Sequence, residues 1–390
     1  MKLNHEDMVV QSDGFVSPIK WHLAHTTWFF ETFILKKLNK KYKIFDKSFN
    51  YLFNSYYNKI GLYNPKSKRG LLVRPTIKKV FEYREFVNKE ISNLLIKNID
   101  NSRLLNLIEL GINHEQQHQE LILMDILNIF YNCPLKPSYK IKKKHKDAKR
   151  HKFTWSNKEK INFKYGYIDN KFSYDNEGPS GEMELNPFQI NIDFITVGDW
   201  KNFIEDGGYN IPNFWLSDGW DFIKRNEINM PMYWIDKNHH FTLYGVEKLK
   251  NSQPVSNISF YEAYAYSKYK KQRLPTEFEL EYFLKSNRKS GNLLESNNFQ
   301  PISFSNKDYL NNAYGNLWCW TSSYYQPYNK FRAFKDDLGE YNEKFMCNQF
   351  VLKGGSFATP KNHIRSSYRN FYYPHDRWQF CGLRLVKEIN

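Results

Sequence analysis

The sequence predicts a chain of class α followed by α+β: an up-and-down four-helix bundle, then a mixed domain of short strands, long loops and a few helices. Three observations predict it. From about Pro18 to Cys133 apolar residues recur at helical spacing, as in Trp21, Leu23, Ala24, Trp28 and Phe29, and later in Leu104, Leu105, Ile108, Leu121, Ile122, Met124 and Leu127. The stretch after it carries Pro134, Pro137 and a basic run with little that could pack inside. Beyond Trp155, short apolar runs alternate with Gly, Pro and Asn clusters. These signals place the bundle at 1–135, a basic linker at 136–154 and the second domain at 155–390. With 390 residues, each part is long enough to bury its own core.

Taken in order, Ser17-Pro18 reads as the cap and first turn of the opening helix. The strongest helical segment is Leu104 to Phe130. In the second domain, Phe188–Phe194, Asn316–Trp320 and Val351–Ser356 read as strands. Helices are predicted over Val197–Asp206 and over Phe260–Lys270, the latter continuing past Leu274-Pro275-Thr276 into Glu277–Leu284. No internal repeat is visible.

The formal charge is +16, which can signal nucleic acid or an anionic membrane as partner. Much of the excess sits in Lys140–Lys152 (KIKKKHKDAKRHK), with no base-stacking motif or recognition helix beside it, so a solvated linker and no nucleic-acid partner are expected. The 28 Tyr, 31 Phe and 10 Trp suit aromatic pockets and ordinary cores equally. Cys133, Cys319, Cys347 and Cys381 are widely spaced without a CxxC pair, as in a reducing compartment. The opening MKLNHEDMVV has no signal-peptide core, and no stretch approaches the roughly 18 uncharged residues of a membrane span. A cytoplasmic protein without a membrane partner is therefore expected; nothing in the sequence fixes its oligomeric state.

The sharpest local signal is His114-Glu-Gln-Gln-His118. Residues four apart lie one turn from each other on one helix face, so both imidazoles can converge on a metal ion. A second helix carries His22 and His25, three apart and on one face. Either could supply a third ligand from across the bundle, with His25 favoured. The same motif satisfies HExxH, in which Glu115 would be the general base of a zinc hydrolase. No later zincin element follows, since Gln119-Glu120-Leu121 continues an ordinary helix. Three imidazoles without a carboxylate leave three positions open on a six-coordinate iron, which suits oxidative coupling better than hydrolysis.

SPIKWHLAHTTWFFETF (Ser17–Phe33) together with HEQQHQEL (His114–Leu121) resembles the EgtB family, the sulfoxide synthases or hercynine oxygenases of ergothioneine biosynthesis. The second half is similar to that family as well, in Asp175-Asn-Glu177, Phe203–Tyr209, Pro254–Ser259, Arg273–Glu277, Gly315–Trp320, Gly354–Ser356 and Cys381–Arg384. The resemblance implies a DinB-like bundle followed by a formylglycine-generating-enzyme-type domain of C-type-lectin fold that completes the substrate pocket. It implies Fe(2+) held by His25, His114 and His118, with hercynine, a cysteine-type thiol and O₂ as small-molecule substrates. Asn54–Asn58 and Lys66–Pro75 resemble a segment that brings tyrosines to the iron in one subgroup. Tyr56 is thereby the candidate proton or hydrogen donor, with Tyr57 beside it. Arg69 and Arg74 are candidates to clamp the thiol's carboxylate. Gln117, Phe371 and Tyr372 resemble the surroundings of hercynine, whose trimethylammonium group is held best against aromatic faces. A carboxylate found at the equivalent of Tyr372 in another subgroup is absent, which points to free cysteine rather than γ-glutamylcysteine. The copper-binding cysteines of formylglycine-generating enzymes are missing from Arg365–Pro374, which sets protein-cysteine oxidation aside. A selenoneine or ovothiol-type synthase and a zinc-dependent hydrolase remain the alternatives.

Overall fold

The helical periodicity of the first third becomes helix over Ile19–Phe30, Ile77–Lys97 and Ser102–Asn132. The structure, a computed structural model, describes residues 3–141, 154–303 and 313–389. It divides into two units. The first comprises residues 1–139 with 170–174 and 333–343; the second comprises 140–169, 175–332 and 344–390. Two short segments from the later part of the chain thus group with the helices, whereas the sequence suggested contiguous domains. Most of the basic linker, residues 142–153, lies outside the described residues.

In the first unit, α1 (Ile19–Phe30) runs on through a π-helical turn, Glu31–Leu35, and a last turn, Lys36–Leu38. Nearly every residue of α1 is buried, because it packs against both long helices that follow. The π turn carries the buried Glu31 carboxylate, which accepts from the Tyr42 and Tyr83 hydroxyls at 2.6 Å each and from the Phe45 amide at 3.2 Å. A short α2 (Phe49–Phe53) follows, then α3 (Ile77–Lys97) and α4 (Ser102–Asn132). Thr76 and Asn101 cap the last two by accepting the Lys79 and Leu104 amides. Gly111 lets α4 meet α1 closely, since a Cβ there would lie 2.7 Å from the Phe30 ring.

Among the described residues the unit therefore has three long helices and one short one, not four long ones. Between Asn54 and Thr76 the chain holds Pro65, Pro75 and only a 3₁₀ turn, Lys66–Leu71. The expected cap is also different. Pro18 itself takes the N-cap position and no side chain caps the helix, because Ser17 accepts from Arg69 at 2.9 Å and gives its amide to Asp125 at 3.0 Å.

The second unit is strand-rich. Strands β1 (Thr154–Asn157), β2 (Phe188–Asn191) and β7 (Val386–Glu388) form an antiparallel sheet in the order β1-β2-β7. Strands β3 (Trp318–Tyr324), β4 (Phe350–Lys353), β5 (Asn370–Tyr372) and β6 (Cys381–Gly382) form a second sheet, β5-β4-β3-β6, parallel only between β3 and β6. All four residues of β4 are buried, which accounts for the apolar Phe350, Val351 and Leu352, while Lys353 is buried against a carboxylate. Helices α5 (Val197–Glu205), α7 (Phe260–Tyr269) and α8 (Glu277–Lys285) each start on a capping box, from Thr196, Ser259 and Thr276. Pro275 separates α7 from α8, so the predicted continuation is two helices. Helix α6 (Ser217–Arg225) was not predicted, its short segment being interrupted by Gly219.

This unit buries three carboxylates against cations: Glu177 with Arg365 at 2.6 Å, Glu277 with Arg369 at 2.8 Å and Glu281 with Lys353 at 3.0 Å. Among the described residues no helix is long and apolar enough to cross a membrane.

Candidate metal centre

The spacing argument brings His114 and His118 to one face of α4, and α1 carries His22 and His25. All four rings are buried, with His25 only 1% and His118 9% exposed. His25, His114 and His118 each offer a ligand atom, and these atoms lie within 4.8 Å of one another. Their ring centroids are 4.6–5.0 Å apart. His25 donates from Nδ1 to the Phe53 carbonyl at 2.7 Å, which leaves its Nε2 as a lone pair, 3.3 Å from Nε2 of His114. His118 is tied through Nδ1 to His22 Nδ1 at 2.8 Å, and His22 Nε2 meets Asp125 Oδ2 at 2.7 Å.

Burial lowers the pKa of every one of these rings. For His114 it falls to about 3, with the neighbouring His22 adding to the effect. All four are neutral at physiological pH, and the neutral imidazole is the form that ligates metal.

A metal ion fits these residues. Two nitrogen ligands about 2.1 Å from one ion are separated by about 3.0–3.4 Å at octahedral to tetrahedral angles, and the His25–His114 Nε2 separation of 3.3 Å lies in that span. Nδ1 of His114 is buried with no hydrogen-bond partner, an orphan of the kind that functional sites tolerate. The donor set is three nitrogens with no carboxylate among them.

The profile of the sulfatase-modifying factor enzyme 1-like domain, FGE-sulfatase, matches residues 145–303 and 285–389. The chain belongs to this family. It is 27% identical over 245 residues to the Hercynine oxygenase of Mycobacterium tuberculosis, which is 57% of either chain. It is 28% identical over 244 residues to that of Mycolicibacterium smegmatis, 56% of either chain. To the Ergothioneine biosynthesis protein 1 of Schizosaccharomyces pombe it is 26% identical over 233 residues, 55% of this chain and 28% of that one. The chain thus spans little more than half the length of the mycobacterial relatives it matches. These relatives bear out the resemblance to hercynine oxygenases drawn from the motifs. The FGE-sulfatase match falls on the strand-rich part, while the three histidines lie before it in sequence.

Three of the second unit's motif residues serve as framework. Glu177 of Asp175-Asn-Glu177 accepts from Arg365 and from the Ser367 hydroxyl, at 2.6 Å each. Glu277 of Arg273–Glu277 holds Arg369, and Arg384 of Cys381–Arg384 donates to the Ile192 and Ala313 carbonyls.

The other candidate residues fall in several places. Tyr57 is fully buried, its amide held by Asn54, and it stacks on Tyr56 with centroids 4.6 Å apart. The Tyr56 hydroxyl donates to the Tyr341 carbonyl at 3.3 Å. Arg69 is 5% exposed, its guanidinium lying over the Trp21 ring and donating to the Ser17 hydroxyl. It therefore braces the centre from behind, since Trp21 stacks on His25 at 4.5 Å. Arg74 is exposed and donates to its neighbour's carbonyl. Phe371 and Tyr372 lie on β5 in the second unit. There Phe371 stacks on Tyr325 at 4.1 Å, and Tyr372 meets Trp378 edge-on at 5.6 Å.

Gln117 has a partner that sequence reasoning missed. Its amide oxygen accepts from the Tyr341 hydroxyl at 2.6 Å. Tyr341 is 4% exposed, its ring centroid 5.9 Å from that of His114, and it stacks on Tyr174 at 5.5 Å. Both tyrosines come from the two segments of the later chain that group with the helices. The Glu340 carboxylate anchors this segment by accepting the Asn58 and Lys59 amides at 3.1 and 2.8 Å. The unit also holds a cleft of about 800 Å³, lined in part by Phe33, Arg103, Leu107 and Leu110 of the helices and by Phe172 and Phe334. Leu110 stands one helical turn before His114.

Proposed function

We propose that the chain is an Fe(2+)- and O₂-dependent oxygenase that joins the sulfur of a cysteine-type thiol to the imidazole ring of hercynine in ergothioneine biosynthesis. The balance is one ring C–H, one S–H and one O₂ giving a C–S bond, a sulfoxide oxygen and one water. The single observation that carries the reading is the set of three neutral imidazoles without a carboxylate, in a chain similar to hercynine oxygenases. A ferrous ion bound there would activate O₂ and take up the thiolate.

The chain's own residues would do the rest. Burial in an aromatic shell of Trp21, Trp28 and Phe29 keeps water from the rings. Tyr341, Tyr56 and Tyr57 are the phenols proposed as proton or hydrogen donors. The first ranks ahead because its ring lies beside His114 and Gln117 fixes its hydroxyl. Arg74 and, in the second unit, Phe371 and Tyr372 keep the substrate-binding roles that the resemblance implies. The finer assignments of a DinB-like bundle and a C-type-lectin-like fold belong to the same proposal.

The zinc-hydrolase alternative is disfavoured by Glu115, the base it needs, which is engaged in an ion pair with Arg84. The test is anaerobic reconstitution with Fe(2+), followed by O₂ uptake and product mass with hercynine and cysteine. O₂ consumed one-for-one with sulfoxide is expected. Tight zinc with indifference to O₂ would replace this reading by hydrolysis.

A further inference from the structure

His22 is a buried imidazole, 3% exposed, that the three-ligand centre does not use, and it lies between a buried carboxylate and a ligand ring. Asp125 is 2% exposed, and its Oδ2 accepts from the Ser17 amide at 3.0 Å. A carboxylate only accepts, so the 2.7 Å contact with His22 requires that His22 donate from Nε2. In a neutral imidazole the second nitrogen is then an acceptor. The 2.8 Å contact between the two Nδ1 atoms therefore requires His118 to donate from Nδ1. His118 has one nitrogen left, Nε2, and it carries the lone pair.

We infer that Asp125 and His22 form a two-step relay that locks His118 in its Nδ1–H form, so that its Nε2 lone pair is the one presented to the metal. The relay rests on the metal reading of the three histidines. Ligating histidines commonly bond a carboxylate or carbonyl through the other nitrogen, and His25 does this directly with Phe53. His118 does it through a second imidazole, because Asp125 lies two helical turns further along α4 on the same face, beyond direct reach. Arg69 steadies the carboxylate from the far side: it donates to the Ser17 hydroxyl at 2.9 Å while the Ser17 amide holds Asp125. His22 and Asp125 are thus positioning residues.

The test uses the full chain with ¹⁵N-labelled histidine, free of metal, and reads the His118 tautomer by two-bond ¹H–¹⁵N correlation. Co(2+) titration, followed by its visible absorption, reads the affinity of the centre. The wild type should show His118 as Nδ1–H. His22→Met, which can neither donate nor accept, should lose that preference and weaken Co(2+) binding by about 10–100-fold. His22→Gln should restore both to within about threefold, since its amide can accept from His118 and donate to Asp125. An Nε2–H form in the wild type overturns the relay even if neither variant folds. So does His22→Met with unchanged tautomer and affinity, or His22→Gln behaving like His22→Met. No Co(2+) binding by a wild type whose His118 is still Nδ1–H would overturn the metal reading alone.

Discussion

The two units bury ionisable side chains in opposite ways. In the strand-rich unit a carboxylate faces a cation at each of Glu177–Arg365, Glu277–Arg369 and Glu281–Lys353, and the charges cancel locally. In the helical unit four imidazoles converge with one carboxylate, Asp125, and desolvation leaves the rings uncharged. Cancelled charges fix loops and leave nothing to bind. Facing lone pairs repel one another unless a proton or a metal ion comes between them, so the helical unit is where chemistry is to be sought.

The largest effect that would break this contrast is on the rings themselves. His114→Ala or His118→Ala should abolish Fe(2+) binding and bring sulfoxide formation to background, with the metal-free chain still folded, as checked by metal analysis and circular dichroism. Retention of metal in either variant would remove the centre. Next comes the opposite unit. Arg369→Met leaves Glu277 buried and unpaired and should cost about 3–5 kcal/mol in denaturant unfolding, with Fe(2+) affinity of the folded fraction unchanged. A smaller effect separates the phenols. Tyr341→Phe should slow sulfoxide formation about 100-fold, more than Tyr56→Phe does; the reverse order in product assays would return the donor role to Tyr56.

The parts of this contrast differ in how far they could be read from the residues. His114 and His118 were legible because helical spacing alone puts them on one face, and α4 covers the predicted segment closely. Asp125 lies on that face as well, seven residues beyond His118, and its spacing could have flagged it. The Phe53 carbonyl could not be found so, since a backbone acceptor has no sequence signature. Tyr341 was missed because it arrives from a loop more than 200 residues away, where neither periodicity nor capping speaks. Arg69 was expected to meet substrate, yet its guanidinium stacks on Trp21; a buried arginine and an exposed one look alike until the neighbours are known. In the second unit the strand cores were visible as apolar runs, but α6 was hidden by its interior glycine.

Acid separates the units by slope. The rings of His25, His114 and His118 have folded pKa values below 6.5, lowered first by desolvation, with His114 down to about 3. The unfolded rings, near 6.5, bind protons that the folded ones refuse. This share of stability is whole above about 6.5 and is lost as pH falls through the lowered folded values, which for His114 means down to about 3. His114→Gln should flatten the pH dependence of the metal-free chain by one such share, seen in unfolding midpoints between pH 4 and 6. An unchanged slope would mean that His114 is protonated in the fold.

The smallest expected effect is the most discriminating. Glu115 is adjacent to His114 in sequence, but its carboxylate is a quarter exposed and paired with Arg84, also about a quarter exposed. Such a pair contributes about 0–1 kcal/mol. Glu115→Gln should therefore shift unfolding by no more than that and leave sulfoxide formation within about twofold, because the residue belongs to a solvated face rather than to the converging rings. Were the centre a hydrolase, the same substitution would remove its general base and cost about 10²–10⁴-fold in rate. The two readings of one five-residue motif thus differ by orders of magnitude on a variant whose fold is barely touched, and rate assays on it separate them.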